Sequence, residues 1–404
     1  MTLPRDAGRR VLIIVRRLNM GGIQKASLSL ASGLLAGGHE VHLLVLKGTP
    51  ELTVPEGVHL HCVDFERAAR RTPAGLARHL ASRVVLKPLL PGSGFVWTGR
   101  TVSRGFRHHL AELEATHGAF DLIVIRGQGA FELLWDVHDP RCWQVVEGPV
   151  SGPEKSPLAG WLYRKLYAGK RVISVSEGIG AVLDATLARH GVVPAQRRTL
   201  TNPVPLERIR ELARAPLPEA PPTPYLVHVG RLSSVKNQAL LLEAFAAADL
   251  PLSLVIIGDG DRRQALTRRC EALGIAERVH FLGQQANPYP WVARANAFAL
   301  SSRMEGLGLV LIEALALGTQ CVAADVPGGI REVLTGEQAR LIAEPSVEGL
   351  AEKLREAWTH PVTVDPAWAE RFDEPRVAEA FLGLLDDDAR LKDPADDDPA
   401  HAPA

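Results

Sequence analysis

Residues 225–258 read YLVHVGRLSSVKNQALLLEAFAAADLPLSLVIIG and hold one strand–helix–strand unit. An apolar, β-branched run, Tyr225–Val229, precedes a polar turn. The next stretch, Gln238–Ala247, places apolar residues on one face at helical spacing, and a second apolar run, Leu254–Ile257, follows it. Strands that are joined through a helix pair in parallel. The stretch therefore predicts a parallel sheet whose faces are covered by helices.

The same alternation of short apolar runs with helical stretches extends over most of the chain. The other predicted strands are Val11–Val15, Val41–Leu46, Leu122–Ile125, Val172–Val175, Val279–Leu282, Ala297–Leu300 and Gln320–Ala323. Repeated strand–helix units of this kind indicate an α/β protein. With 404 residues, of which 46% are hydrophobic, the chain is long enough for two such domains, each with its own core.

A proline-rich stretch separates the two predicted domains. Residues 214–224 read RAPLPEAPPTP, and five prolines in eleven residues exclude a helix or a central strand. The predicted organisation is an N-terminal domain (1–203), a proline-rich linker region (204–224), a C-terminal domain (225–368), a C-terminal helix that packs back on the first domain (369–385) and a disordered acidic tail (386–404).

The net charge of zero hides an asymmetry between the halves. Residues 1–203 carry 26 Lys and Arg against 16 Asp and Glu, whereas residues 204–404 carry 20 against 30. Opposite charges indicate that the two domains meet different partners. The four cysteines are scattered, which favours reduced thiols over disulfides or a zinc site. The first apolar run, Val11–Val15, is too short for a signal-peptide core or a membrane span, so we expect a cytoplasmic protein.

Three glycine-containing turns follow predicted strands, at the sheet edge where open α/β sheets bind ligands. Gly21-Gly22 precedes a predicted helix whose N-terminus favours an anion, although an ordinary turn explains the pair equally well. Gly230, Arg231 and Lys236 follow Tyr225–Val229, and the two cations could clamp a diphosphate unless they are only solvated surface.

The third turn, Ile257–Asp261, contains Gly258 and Gly260, which would let a ligand approach the backbone closely. It also contains a D-x-D sequence, Asp259 and Asp261, and such a pair can bind a metal. A tight turn explains these acids better than a metal site does. No G-x-G-x-x-G fingerprint of a dinucleotide enzyme is completed at this turn.

The strongest pattern is SSRMEGLGLVLIEA at residues 301–314. Glu305 lies on a loop between Gly306 and the preceding strand, and Glu313 lies about one turn inside the next helix. The backbone amides near Gly308 would point from the helix N-terminus at a phosphate. Two carboxylates beside a phosphate site could hold sugar and ribose hydroxyls, while a capping acid and a surface acid remain the alternative. The motifs of zinc proteases, lipase-type hydrolases and P-loop ATPases are absent.

Taken together, these motifs resemble glycosyltransferase family four, the retaining group 1 enzymes of the GT-B fold, and in particular its bacterial cell-envelope glycan type. The likeness is densest from Val227 to Leu334 and includes Asn287-Pro288-Tyr289 and the two glutamates eight residues apart. It implies two Rossmann-like doubly wound domains that face each other across a cleft. It also implies transfer of a sugar from a nucleotide sugar, UDP-linked, to lipopolysaccharide core, O-antigen or capsule, with no bound metal or other cofactor.

The resemblance also implies roles for particular residues. Arg231 and Lys236 would neutralise the donor diphosphate, Glu305 would contact the transferred sugar, and Glu313 would bind the ribose. The remaining expected contacts are Gly21 and Gly22 closing over the donor, Gly230, Gly258, Gly260, Gly306 and Gly308 in its loops, the amides of Leu309 and Val310 at the phosphates or sugar, and Gly283 near the base. Many relatives carry a histidine in the first domain, where this chain has Glu147; we assign Glu147 as a catalytic candidate at that place.

A basic segment, residues 67–111, suggests where the acceptor comes from. It holds nine Lys and Arg and no acid, interspersed with apolar residues. That composition suits an anionic membrane surface or an anionic glycolipid and indicates peripheral binding at the inner face of the cytoplasmic membrane. A solvated helical face is the alternative, and no nucleic-acid-binding module is recognisable. Three other functions stay open: a nucleotide-sugar 2-epimerase of the same fold, a non-catalytic nucleotide-sugar-binding protein and, less well supported, a dinucleotide dehydrogenase.

Overall fold

The computed structural model describes residues 8–82, 84, 93–150, 153–217, 224–365 and 367–392. Arg83 and Lys87 of the basic segment, residues 218–223 of the predicted linker and residues 393–404 of the predicted tail lie outside these ranges. The chain divides into two compact units. Unit 1 holds residues 1–173, 185–203 and 374–404, and unit 2 holds residues 174–184 and 204–373.

The strands are β1 (Arg10–Val15), β2 (Glu40–Val45), β3 (His59–Cys62), β4 (Leu122–Arg126), β5 (Cys142–Val146), β6 (Arg171–Ser174), β7 (Gln196–Thr199), β8 (Tyr225–Val229), β9 (Ser253–Ile257), β10 (Val279–Gly283), β11 (Ala297–Leu300), β12 (Cys321–Ala324) and β13 (Ile342–Ala343).

The helices are α1 (Gly22–Ala36), α2 (Phe65–Arg70), α3 (Pro73–Ala81), α4 (Phe95–His117), α5 (Gln128–Leu133), α6 (Ala159–Tyr167), α7 (Glu177–Arg189), α8 (Leu206–Ala213), α9 (Gln238–Ala248), α10 (Arg263–Ala272), α11 (Tyr289–Ala293), α12 (Leu309–Ala316), α13 (Ile330–Val333), α14 (Val347–Thr359), α15 (Ala367–Glu370) and α16 (Glu374–Lys392).

The two sheets have the same strand order at their centres. The first runs β3-β2-β1-β4-β5-β6-β7 and the second runs β10-β9-β8-β11-β12-β13. Each pairing between neighbours from β8 to β13 is parallel, as are those from β3 to β5. This is the doubly wound Rossmann order, in which the direction of winding reverses beside the first strand. The predicted α/β fold with two Rossmann-like domains is confirmed.

The central strands are buried because helices cover both faces of each sheet. Five of the six residues of β1 are buried, and the same holds for β2. This burial explains why these strands read as continuous apolar runs rather than as alternating ones. In unit 1, α16 packs on α1 through an apolar face that includes Val377, Ala378, Phe381 and Leu384.

The structure differs from the sequence-based expectation at four strands that were not predicted, β3, β5, β7 and β13, and at two helices. Strand β3 has the sequence HLHC and lies at the edge of its sheet, where most of its residues are exposed. It therefore lacks the apolar run by which the buried strands were predicted. Within the predicted linker, residues 206–213 form α8, whose Leu206 and Ile209 are buried. Helix α16 continues to Lys392, past the predicted start of the tail at 386, because each added residue of a helix contributes one more backbone hydrogen bond.

Candidate functional site

The site in unit 2 lies at the reversal of strand order between β8 and β11. The loop after β8 carries Gly230, Arg231 and Lys236, and the loop after β11 carries Glu305. Because these strands are parallel neighbours, their carboxyl ends meet at one edge of the sheet, which is where such folds bind ligands. Residues that are about 70 positions apart in sequence are brought together here.

Lys236 and Glu305 form the centre of this site. The Lys236 Nζ atom donates to Glu305 Oε1 at 2.5 Å, and Ser302 Oγ donates to the same oxygen at 2.5 Å. The Glu305 side chain is 10% exposed and that of Lys236 is 25% exposed. A half-buried ion pair of this kind is stabilised by low local polarity. The pair also holds the Lys236 ammonium group at the sheet edge, where the side chain stays partly accessible to solvent.

A buried histidine fixes the backbone from which Arg231 extends. His228 is fully buried, and burial lowers its pKa to about 4, so the ring is neutral. Its Nδ1 atom donates to the Ala299 carbonyl at 2.9 Å, which leaves Nε2 to accept from the Gln238 amide at 3.1 Å. Gln238 also donates to the Arg231 carbonyl at 2.9 Å. The Arg231 backbone is therefore held while its side chain is exposed.

The turn at residues 257–261 packs tightly against the loop after β8. Gly258 has a φ of +136°, and a Cβ atom there would lie 2.0 Å from the Gly230 carbonyl oxygen. The Gly258 amide donates to the Gly283 carbonyl at 2.8 Å. Asp259 accepts from the Gly260 amide at 2.7 Å, so this carboxylate supports its own turn. Asp261 is exposed.

Helix α12 begins directly after the glutamate loop. Gly308, its N-cap, has a φ of +87°, a left-handed conformation that favours glycine. Leu309 and Val310 are the first two residues of the helix, and amides at these positions have no acceptor within a helix. The positive end of the helix dipole adds to them. The N-terminus of α12 is therefore suited to an anion.

Glu313, one turn into α12, has a partner that the sequence-based assignment did not include. The buried Tyr289 phenol is hydrogen-bonded to Glu313, and burial followed by the nearby carboxylate raises the pKa of Tyr289 well above its usual range. Asn287 positions the start of α11, which carries Tyr289: its side-chain amide donates to the Leu212 carbonyl at 2.8 Å, and its Oδ1 accepts from the Tyr289 amide at 3.3 Å. In the sequence, Tyr289 could have been noticed as the last residue of the Asn287-Pro288-Tyr289 motif, but the motif alone predicts no role for this tyrosine.

The remaining glycine of this loop, Gly306, contributes a carbonyl. It accepts from Ser176 Oγ at 2.8 Å and from the Gly329 amide at 3.1 Å. The nearby Glu332 carboxylate accepts from the amides of Glu177 and Gly178 at 2.9 and 3.0 Å. Residues 174–184 are thereby tied into unit 2.

In unit 1, Gly21 and Gly22 lie at the start of α1, as expected. The Gly21 carbonyl accepts from the Lys25 amide at 3.0 Å, and Gly22 is the first helical residue. They follow β1 at the carboxyl edge of the sheet, beside the β1–β4 reversal. Their predicted role in binding an anion stays a prediction.

Glu147, the catalytic candidate of unit 1, is bound within a polar network. Arg126 at the end of β4 is fully buried and donates to Glu147 Oε1 through Nη2 at 2.6 Å and Nε at 3.1 Å. Asn202 donates to Glu147 Oε2 at 2.7 Å and accepts from Arg126. Both carboxylate oxygens therefore have partners, and Glu147 neutralises a buried guanidinium. Arg126 was missed because it closes an apolar run, LIVIR, without any motif around it.

Comparison with known proteins finds a family match within the second half of the chain. Residues 209–370 match the family described as glycosyl transferases group 1. An N-acetylgalactosamine-N,N'-diacetylbacillosaminyl-diphospho-undecaprenol 4-alpha-N-acetylgalactosaminyltransferase of Campylobacter jejuni is 32% identical over 50% of this chain and 57% of its own length. The lipopolysaccharide core biosynthesis glycosyltransferase LpsE of Rhizobium meliloti is 31% identical over 46% and 57%, respectively. The chain thus spans little more than half the length of these relatives.

A solved structure supports the fold over nearly the whole chain. The structure of Alr3699/HepE of Anabaena, in complex with UDP and glucose, superposes with a TM-score of 0.65. The match covers 94% of this chain and 100% of that chain at 16% sequence identity. At this identity the similarity is one of fold.

Proposed function

We propose, on the premise that residues 209–370 match the glycosyl transferases group 1 family, that the protein is a retaining glycosyltransferase. It moves a sugar from a uridine diphosphate sugar to an anionic glycolipid acceptor in the synthesis of a cell-envelope glycan. One observation carries the proposal: the Lys236–Glu305 pair, with Arg231 exposed on the same loop, at the strand-order reversal of unit 2.

The chemistry of sugar transfer explains why these groups are useful together. As the bond between the sugar and the diphosphate breaks, negative charge grows on the leaving diphosphate. Lys236 and Arg231 stabilise that charge, and the free amides at the N-terminus of α12 add fixed dipoles. When Lys236 binds the diphosphate, Glu305 loses its hydrogen bond from Lys236 and accepts hydrogen bonds from hydroxyls of the sugar instead. Glu313, oriented by Tyr289, binds the two ribose hydroxyls.

The identity of the nucleotide is proposed from two sources. The resemblance of the motifs favours a uridine diphosphate, and the structurally similar Alr3699/HepE was solved with UDP. Residues 283–287 begin at the last residue of β10, the edge strand beside β9, and we assign them to the base.

The acceptor is proposed from the surface of unit 1. Leu76, Leu80, Val84 and Trp97 are exposed apolar side chains, with exposed fractions from 38% to 69%. An open pocket beside them is lined by Arg78, Trp97 and Arg100. Apolar side chains next to guanidinium groups suit a lipid whose headgroup carries phosphate. The Campylobacter relative, whose name includes a diphospho-undecaprenol, agrees with an acceptor of that class.

In the part of the chain that the structure describes, no helix is long and apolar enough to cross a bilayer. We propose that the protein binds the cytoplasmic face of the membrane peripherally, through the exposed residues of the basic segment. We also propose that transfer needs no metal, since Asp259 is engaged by its own turn.

A ligand panel followed by an activity assay tests the proposal. UDP should raise the melting temperature more than GDP, ADP or CMP at equal concentration, because a ligand that binds only the folded state stabilises it. UDP release from UDP-sugars should then require a polyprenyl-diphosphate-linked glycan, persist in EDTA and give an α-linked product by NMR. UDP release in the absence of any acceptor together with epimerised sugar would instead identify a 2-epimerase, and the absence of any nucleotide response would refute donor binding.

A further inference from the structure

A cluster of histidines lies at the edge of the unit 1 sheet. His42 on β2 pairs in register with His59 on β3, and His61 lies two residues further along β3 on the same face. His117, the last residue of α4, completes the group. The cluster is not part of the strand-order reversal of this sheet, which lies between β1 and β4.

The ring nitrogens of this cluster converge. His42 Nδ1 and His61 Nε2 are 2.9 Å apart, and one ring nitrogen from each of His42, His61 and His117 lies within 4.8 Å of the other two. Three nitrogens bound to one tetrahedral Zn²⁺ are separated by about 3.3 Å, given Zn–N bonds of about 2.0–2.1 Å. The His42–His61 separation is shorter than that value, and the separations to His117 are at most 4.8 Å, so small side-chain rotations would place all three nitrogens around one ion.

The hydrogen bonds of the cluster orient His42 so that its Nδ1 atom faces His61. Arg10 Nη2 lies 2.7 Å from Glu40 Oε2 and forms an ion pair with this carboxylate. The ionised Glu40 accepts from His42 Nε2 at 2.9 Å, so His42 Nδ1 keeps its lone pair. His61 Nε2 donates to this lone pair, and a cation that binds both nitrogens would take the place of that hydrogen bond, with the His61 proton moving to Nδ1.

The surroundings are those of a metal-binding histidine rather than of a surface one. A carboxylate that accepts from the distal nitrogen of a ligating histidine is the usual outer partner at metal sites, because it fixes the tautomer and the ring orientation. Glu40 holds this place for His42, whose side chain is fully buried. The Phe120 ring stands edge-on to His42 at a centroid distance of 5.0 Å and closes one side.

We propose that His42, His61 and His117 form a binding site for one late first-row divalent cation, foremost Zn²⁺, with water in the fourth position. Imidazole nitrogens suit this class of metal, whereas Mg²⁺ and Ca²⁺ prefer oxygen ligands. When the cation is bound, it joins the edge strand β3 to β2 and to the end of α4. The site is separate from the proposed sugar transfer.

Cobalt substitution in the full-length chain tests the site without depending on activity. Co²⁺ added to chelator-treated protein should bind with a stoichiometry of one and produce the visible absorption of a tetrahedral complex, and Zn²⁺ should displace it. His61→Gln and His117→Gln should each weaken binding on the order of 10–100-fold or more. His108→Gln is the matched control, because His108 lies on the same helix with its side chain 82% exposed, and it should bind as the parent does.

The outcomes separate a metal site from its alternatives. Equal Co²⁺ binding by the parent and by His117→Gln, with circular dichroism showing both folded, would overturn the site and identify adventitious binding. Absence of tetrahedral absorption in the parent would leave a stack of hydrogen-bonded imidazoles and would also overturn it. Calorimetry of UDP with each variant should give the parent affinity, which distinguishes a failure here from a failure of the proposed transfer function.

Discussion

Replacing Lys236 by Met tests the diphosphate site with little change in side-chain volume. At about 4 Å and an effective dielectric constant of 20, one cation and one phosphate charge attract by about 4 kcal/mol. In the free protein, however, the Lys236 ammonium already forms an ion pair with Glu305 at 2.5 Å, and this pair must break before Lys236 can bind the phosphate. The net loss is therefore smaller, and we expect about 1.5–3 kcal/mol, or roughly 10–100-fold in the Kd of UDP.

The assay is isothermal titration of UDP, with the urea unfolding midpoint as the check on folding. Turnover should fall further than affinity, by about 10²–10³, because charge on the diphosphate is greatest in the transition state. Arg268→Met is the matched control, since Arg268 is an exposed cation on α10 of the same unit. A folded Lys236→Met variant whose UDP affinity changes less than threefold would refute the assignment of the diphosphate to this loop.

Three further results are expected. Tyr289→Phe removes the hydrogen bond to Glu313 and should weaken UDP binding by about 1 kcal/mol, roughly fivefold, in calorimetry; unchanged affinity would separate Glu313 from the ribose. The buried His228 has a pKa of about 4 against an ordinary 6.5. The unfolded chain therefore protonates first, so stability is complete above pH 6.5 and should be about 2 kcal/mol lower at pH 5; equal urea midpoints at pH 7.5 and 5 would contradict this. Arg78→Gln with Arg100→Gln should weaken binding to anionic vesicles by about 2 kcal/mol at low salt, and parent-like sedimentation would contradict the membrane face.

The sequence predicted the fold and most of the candidate site because both depend on local patterns. Buried parallel strands read as apolar runs, and parallel topology then places the loops after β8 and β11 at one edge. Lys236 and Glu305 could be assigned from their positions after strands, without knowledge of their contact. The 2.5 Å pairing itself required the structure, because the sequence does not state which side chains meet across a sheet edge.

The features that the sequence analysis missed depend on contacts between distant segments. The Arg126–Glu147–Asn202 network joins the ends of two strands to a turn 55 residues further on. Each of these residues, taken singly, is an ordinary polar residue. The histidine cluster was missed for the same reason, because its members come from distant segments. Since β3 was not predicted as a strand, the sequence did not place His61 beside His42 or near the end of α4.

The packing of α16 on α1 constrains the order in which the protein can fold during synthesis. Helix α1 ends at residue 36, but the helix that covers its apolar face begins only at residue 374. All of residues 204–373, which belong to unit 2, are translated in between. The ribosome therefore finishes most of unit 1 early and leaves one face of it uncovered until unit 2 has emerged. Until α16 is synthesised, the apolar face of α1 stays exposed on the nascent chain, where a chaperone can bind it or aggregation can begin.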